Sequence, residues 1–337
     1  MKNLINEIDS CIKDFITDKK DNLELQEAKS IINLIENSIF APGKRFRPLF
    51  CVASYLNFGG EYNQEIIKLA SALELLHSFA LIHDDIMDNS DLRRGKPTIH
   101  VVAQSKGIGI LAGDVTLVLA DQLFNSAAST FDKKKKKKLL SYYNDTKLNL
   151  CLGQYLDILE ENTVTSSEEK LFLMRHYKTG KYTIESPMHI GMIAAGVTDP
   201  DKYEQVSEFA KYLGEAFQVR DDIGGTFANE EDIGKPIGSD ILSNKKTYIW
   251  QLLYLSETKF LIDTIDIKDE IKEYYSKTEL SDNDVKKVQE LLITAGVKDA
   301  CENYIDAEYI QAKKIINSLN FNDDLQELAH MCAYRNN

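Results

Sequence analysis

The chain has 337 residues, 43% hydrophobic and 28% charged, the balance of an ordinary globular protein with a sizeable core. Its net charge of −13 argues against nucleic acid as a partner, because a phosphate backbone needs a basic footprint. Five scattered cysteines without a CxxC read as reduced, buried thiols of a cytoplasmic protein, not as a disulfide or zinc framework.

No Pro/Gly/Ser-rich linker divides the chain, and it holds only six prolines, so a single domain over 1–337 is expected. The first nine residues lack an uninterrupted apolar region and do not read as a signal peptide. No run reaches about 18 consecutive apolar residues, so no stable membrane insertion is expected.

Helical periods dominate in chain order. Leu4, Ile8, Cys11, Ile12 and Phe15 form one stripe; Ala28, Ile31, Ile32, Leu34 and Ile35 form a second. Pro42-Gly43-Lys44-Arg45-Phe46-Arg47-Pro48 opens the next helix, with Lys44 and Arg47 three apart. A helix N-terminus and an arginine fork both suit an anion, though a plain basic turn would look the same. Asn57 to Gly60 is a turn. Glu65 to His83 is then a long apolar helix, with Leu69, Leu73, Leu76, Ala80 and His83 on a helical period.

That helix ends in Asp84-Asp85-Ile86-Met87-Asp88. Asp84 and Asp88 are four apart and share a face, while Asp85 is turned away. A helix C-terminus already carries partial negative charge, so three acids there need compensation. A divalent cation would supply it; a solvated helix end is the bland alternative. Leu92-Arg93-Arg94-Gly95-Lys96-Pro97-Thr98 follows as a loop, able to bridge those acids or to grip a phosphate.

Further on, Leu111 to Phe124 is apolar, with Asp114 and Asp121 seven apart on one face. Lys133 to Lys138 is a run of lysines, read as a solvated loop and helix start. Helices are expected from Leu148, Glu168, Tyr182, Lys202, Thr247, Asp284 and Val297. Lys178-Thr179-Gly180-Lys181, with Lys235 and Lys245, is a third basic group, and Gly180 predicts a helix kink that frees carbonyls. Phe217 to Gly225 places a second acid pair, Asp221 and Asp222, at the close of a long helix starting near Asp199-Pro200. If the two acidic helices face each other, their hard oxygen donors suit Mg²⁺. Alternating strand patterns are absent, so the fold class is all-α, a bundle of about ten or more helices. About three negative charges on a diphosphate would be expelled by bare aspartates at roughly 4 kcal/mol per close pair, a sign that divalent cations reverse.

Together DDIMD with LRRG, GKRFRP, GQYLD (Gly153 to Asp157), KTGKYT, FQVRDD and GKPIGSDI with NKKT resemble the trans-isoprenyl diphosphate synthases, the polyprenyl synthetase family. The motif-bearing core spans about residues 40–250. The resemblance implies an isoprenoid synthase fold around a central cavity, usually a homodimer. It implies condensation of isopentenyl diphosphate with an allylic diphosphate, with three Mg²⁺ bound. Asp84, Asp88, Asp221 and Asp222 match the metal motifs, with Asp85 behind them. Arg93, Lys178, Lys235 and Lys245 match the allylic diphosphate site; Lys44, Arg47, His77 and Arg94 match the isopentenyl diphosphate site. Lys178, Thr179 and Gln218 match the groups nearest the allylic cation.

The chain departs from the family in Gly225, where a further aspartate is common, and in Ala41-Pro42-Gly43, where a double glycine is common. His77 by its own pattern could equally be a satisfied core histidine. Phe79 and Ala80, five and four residues before Asp84, resemble the pattern that sets a C20 product, geranylgeranyl diphosphate, with farnesyl diphosphate as the alternative. A class I terpene cyclase and a silent partner subunit are more distant readings.

Overall fold

The computed structural model describes residues 1–161, 166–227, 238–242, 245–254, 265–275, 277 and 280–335. The expected all-α class holds: among the described residues the only strands are a two-stranded hairpin. The chain divides into two compact units, each built from segments distant in sequence.

The first unit comprises Met1–Asp145, Ser186–Tyr203 and Phe321–Leu328. It contains α1 (Lys2–Asp21), α2 (Gln26–Ile39), α3 (Phe46–Asn57), α4 (Gln64–Met87), α5 (Ile99–Val102), α6 (Lys106–Ala128) and α9 (Ser186–Ala195). The expected stripes bury in part: Ile8 and Ile12 of α1 and Ile32 and Ile35 of α2 are buried, the other expected members are half-buried, and Ile16 and Ile39 join the buried face one turn further on. Helix α4 is buried on every side from Leu69 to Leu76, because α1, α3 and α6 all pack on it. A helix that is apolar all round belongs at the centre of a unit. Its start is set by Asn63, whose side-chain oxygen accepts the Ile66 amide at 3.0 Å.

The second unit comprises Thr146–Glu185, Glu204–Asn320 and Ala329–Asn337. It holds α8 (Glu168–Arg175), a π-helix (His176–Glu185), α11 (Ser239–Leu242), α12 (Tyr248–Tyr254), α13 (Ile265–Tyr275), α14 (Asp282–Thr294) and α15 (Val297–Ser318). Helices α7 (Lys133–Glu161), α10 (Pro200–Phe227) and α16 (Asp323–Tyr334) contribute to both units. Its core joins Met174, Val219, Trp250, Ile271, Leu292 and Ile305. Within it the Arg175 guanidinium is buried against Glu215 at 3.0 Å and Gln251 at 3.1 Å.

Four expectations need correction. The lysine run is no loop: it forms the first turns of α7, which continues through Leu148 without a break. Asp132 caps it by accepting the Lys134 and Lys135 amides, and Lys138 covers the Tyr203 ring at 4.2 Å. The loop after the first acids is a hairpin, β1 (Leu92–Arg93) against β2 (Lys96–Pro97), too short to show an alternating pattern. Helix α10 runs past the second acid pair to Phe227 instead of ending there. Around Gly180 the chain makes a ten-residue π-helix, not a kink. Gly180 serves close packing: a Cβ on Gly214 would stand 2.5 Å from its Cα.

The absence of a long unbroken apolar run does not bear on whole-helix hydropathy. Helices α4 and α6 are both long and apolar enough to cross a membrane, by length and composition. Isolated polar residues break their apolar runs and hid this in the sequence. In α4, 72% of the most apolar window is buried inside the protein, as a core helix requires; in α6 the share is 44%.

Candidate active site

Helix α4 delivers the first acids as the spacing predicts. It ends at Met87 with Asp88 as C-cap, and the Asp88 amide donates to the Asp84 carbonyl at 2.8 Å. Asp85 is buried; the Asp84 side chain is 18% exposed. Arg93 folds back from the hairpin onto both, its Nε donating to Asp85 Oδ1 at 2.7 Å and its Nη2 to Asp84 Oδ2 at 3.3 Å. Burial works against the charge on Arg93, but Asp85 and then Asp84 outweigh it and its pKa is raised. Within the chain itself, Arg93 supplies the compensation that this helix end needs.

The adjacent Arg94 goes elsewhere. It sits in the hairpin turn at φ 54° and is followed by Gly95 at φ 72°, the left-handed pair of a type I′ turn. Its Nη1 donates to the Ala41 carbonyl at 3.2 Å. A Cβ on Gly43 would stand 2.9 Å from Nη1 of both Arg45 and Arg94, so a side chain there would displace both guanidinium groups. Lys44 is exposed and Arg47 half-buried on the first turn of α3.

Between them Arg45 is buried. It donates to Asp9 at 2.9 Å, to Glu74 at 3.0 Å and to the Ile39 carbonyl at 2.9 Å. His77 belongs to this basic cluster, one turn beyond Glu74 on α4. Burial, then Arg47, Arg94, Arg93 and Arg45, hold its pKa well below the usual range, so its imidazole is neutral. Sequence reasoning missed Arg45 and Glu74. Nothing in the motif distinguishes Arg45 from Arg47, and Glu74 stands in an apolar helix with its partner 29 residues away.

In the second unit, the π-helix places Lys178 against Asp157 of α7. Thr179 Oγ1 donates to Gln218 Oε1, and Gln218 Nε2 donates to Asp222 Oδ1 at 2.9 Å. Asp222 Oδ2 accepts the Tyr248 amide at 2.8 Å. Asp222 is thus turned inward and orients Gln218. Asp221 is its solvent-facing neighbour, 50% exposed and bonded to Arg335. Arg335 also donates to the Phe217 carbonyl at 3.2 Å and lies 3.9 Å over the Phe217 ring.

The space that Gly225 leaves open is taken by Asp240, whose Oδ2 a Cβ would approach to 2.2 Å. A carboxylate from α11 therefore stands beside the position where the motif lacks one. The Lys245 amide donates to the Asp240 carbonyl at 3.0 Å. Lys235 lies outside the described residues.

Burial, and next the neighbouring Asp240, push the Asp222 carboxyl up to about 7. A free aspartate titrates near 3.9. Between those values the folded chain holds a proton that the unfolded chain has released, so this contribution to stability is lost as pH rises through that window. The metal-free protein is therefore expected to melt at a lower temperature at about pH 8 than at about pH 5. Asp222→Asn should reduce that difference. It should not abolish it, because burial and then Glu215 raise Glu308 to about 7 as well. Equal slopes for the two proteins in a calorimetric pH series would overturn the assignment.

Carboxylates at the end of α4 and within α10, met by guanidinium and lysine groups, mark the class of all-α proteins that handle phosphorylated ligands. The polyprenyl synthetase family profile matches residues 28–292. A short chain isoprenyl diphosphate synthase from Methanocaldococcus jannaschii is 34% identical over 86% of this chain and 82% of its own. A geranylgeranyl diphosphate synthase from Saccharolobus solfataricus is 35% identical over 80% of this chain and 79% of its own. Among solved structures, a geranylgeranyl pyrophosphate synthase from Corynebacterium glutamicum, complexed with isoprenyl diphosphate and magnesium, superposes with a TM-score of 0.89. It is 25% identical, over 99% of both chains. The chain belongs to the polyprenyl synthetase family and is a prenyltransferase.

Proposed function

We propose that the chain condenses isopentenyl diphosphate with allylic diphosphates and that its main product is geranylgeranyl diphosphate. The observation that carries this is the parting of Arg93 and Arg94. One turns to the acids of α4, the other to the basic cluster of Lys44, Arg47 and His77. Two neighbouring diphosphate sites of different design follow, one approached through carboxylates and one through cations alone. A terpene cyclase, which binds a single diphosphate, has no use for the second. With geranyl diphosphate alone the protein should leave the substrate intact, and added isopentenyl diphosphate should start turnover; consumption of the lone allylic substrate would favour the cyclase.

The donor set fits Mg²⁺. Asp84 and Asp221 present hard oxygens and reach solvent, and no three His, Cys, Asp or Glu side chains form a ready cage among the described residues. Mg²⁺ is commonly held by one or two carboxylates plus substrate phosphates, not by a complete protein cage. Asp84 and Asp88 would hold it on α4 and, separately, Asp221 on α10, and we propose three ions with substrate bound. Bound there, Mg²⁺ supplies the charge that lets a diphosphate lie against aspartates and depart.

The chain's own cations share that task. Within the first unit Arg93, released from Asp84, binds the departing diphosphate, and Lys44, Arg47 and Arg94 hold the isopentenyl diphosphate; in the second unit Lys178, paired with Asp157, is a further diphosphate-binding cation. The Thr179 hydroxyl and the Gln218 amide oxygen, locked by Asp222, present fixed dipoles to the allylic cation. The proton lost after carbon–carbon bond formation goes to the released diphosphate.

Phe79 and Ala80, half-buried one turn before Asp84, are the proposed floor of the prenyl tail. Phe79→Ala should lengthen the product, read by chromatography of the dephosphorylated chains; an unchanged product would remove Phe79 from that role. We also propose a cytoplasmic homodimer. The five cysteines form no disulfide, though Cys151 is exposed where a buried thiol is expected, and α6 leaves Ile110, Leu111 and Val118 exposed, apolar area that a second copy would cover.

A further inference from the structure

One apolar-helix histidine has no part in the chemistry above. His83 stands between Phe79 and Asp84 on α4, with its side chain mostly buried at 19% exposure. Its ring meets Phe79 edge-on, with centroids 4.9 Å apart and planes at 65°. Its Nε2 is 3.0 Å from the Ile110 carbonyl of α6, so that nitrogen carries the proton and donates. The Asp114 carboxylate stands 3.6 Å from the same nitrogen. On the remaining side the imidazole lies against Gly113, where a Cβ would come within 2.2 Å of Cδ2 and Nε2. The imidazole is therefore held by a hydrogen bond at one edge, a bare backbone on one side and Phe79 on another. Such a ring has one seat, beside the Phe79 ring.

We propose that His83, seated on Gly113, is a positioning residue that sets product length by bracing Phe79. The inference rests on the reading of Phe79 as the floor of the tail. Asp114 and Gly113 thereby gain a role in specificity without touching substrate: one faces the bracing nitrogen, the other leaves room for the ring. Removing the imidazole leaves Phe79 free to change rotamer and lets the tail pass; adding a methyl at Gly113 expels the imidazole with the same outcome.

The test uses the full chain with Mg²⁺, isopentenyl diphosphate and dimethylallyl diphosphate. His83→Ala and Gly113→Ala should each shift the main product by one or more isoprene units toward longer chains. The KM and kcat of the first condensation should stay close to wild type, which a general loss of packing would not spare. His83→Gln keeps a side-chain donor but no ring, and should lengthen the product too, so the inference survives a poorly folding alanine variant. In a Phe79→Ala background His83→Ala should add nothing further, because a brace has no effect once its load is gone. If Phe79→Ala lengthens the product while His83→Ala, His83→Gln and Gly113→Ala leave it unchanged, the brace is refuted and the floor stands. Additive lengthening in the double variant also refutes the brace. If Phe79→Ala itself changes nothing, both ideas fall together.

Discussion

Asp84→Asn is expected to yield a protein that folds as wild type does and has lost nearly all turnover. The substitution keeps the shape of the side chain and removes only its charge. Arg93 does not lose its anchor, because its shorter bond is to Asp85 at 2.7 Å, against 3.3 Å to Asp84. On the proposed reading, what is lost is a hard anionic donor at the place where the departing diphosphate is neutralised. Removing a single preorganised electrostatic contact of this kind costs about 10²–10³-fold in kcat, or about 2.7–4 kcal/mol of barrier. The Mg²⁺ concentration giving half-maximal rate should rise at the same time. Melting curves recorded with the kinetics separate this from unfolding. A variant with wild-type kcat would show that Asp84 holds no metal.

Arg45→Met should act in the opposite way, on the fold first and on substrate second. Arg45 and Glu74 are each 3% exposed and 3.0 Å apart. Breaking one side of a buried ion pair leaves an uncompensated charge, at a cost of about 3–5 kcal/mol. Exposed pairs such as Lys277–Asp284 are worth at most about 1 kcal/mol. Urea unfolding should show the loss, and Arg45→Met with Glu74→Leu should recover much of it, since an apolar replacement leaves nothing buried and unpaired. Arg45 also ties the loop between Lys44 and Arg47 to α1, α4 and the end of α2. The KM for isopentenyl diphosphate should therefore rise in the single variant. A loss below about 1 kcal/mol would show that the pair is dispensable.

The helices, their apolar stripes and the two aspartate pairs were legible in the sequence because each is a local pattern. A period of 3.6 residues and a spacing of four need only the chain's own geometry. Pro200 at the first position of α10 and Asn63 ahead of α4 are likewise local start signals. The two readings that broke down locally, a kink at Gly180 and a loop at Lys133 to Lys138, did so because packing partners outside the window chose otherwise.

Which charge meets which was left to the tertiary structure. Arg45, Arg47, Arg93 and Arg94 are equivalent as letters, yet one is sealed against Glu74, one answers Asp85 and one reaches the Ala41 carbonyl. Asp240 fills the gap at Gly225, Arg335 finds Asp221 from 114 residues away, and His83 settles on Gly113. Sequence alone determined that this protein is a helical polyprenyl synthetase with acids and cations in the right order. The fold decided their partners, because pairing among like side chains depends on distances that only packing across the chain can set.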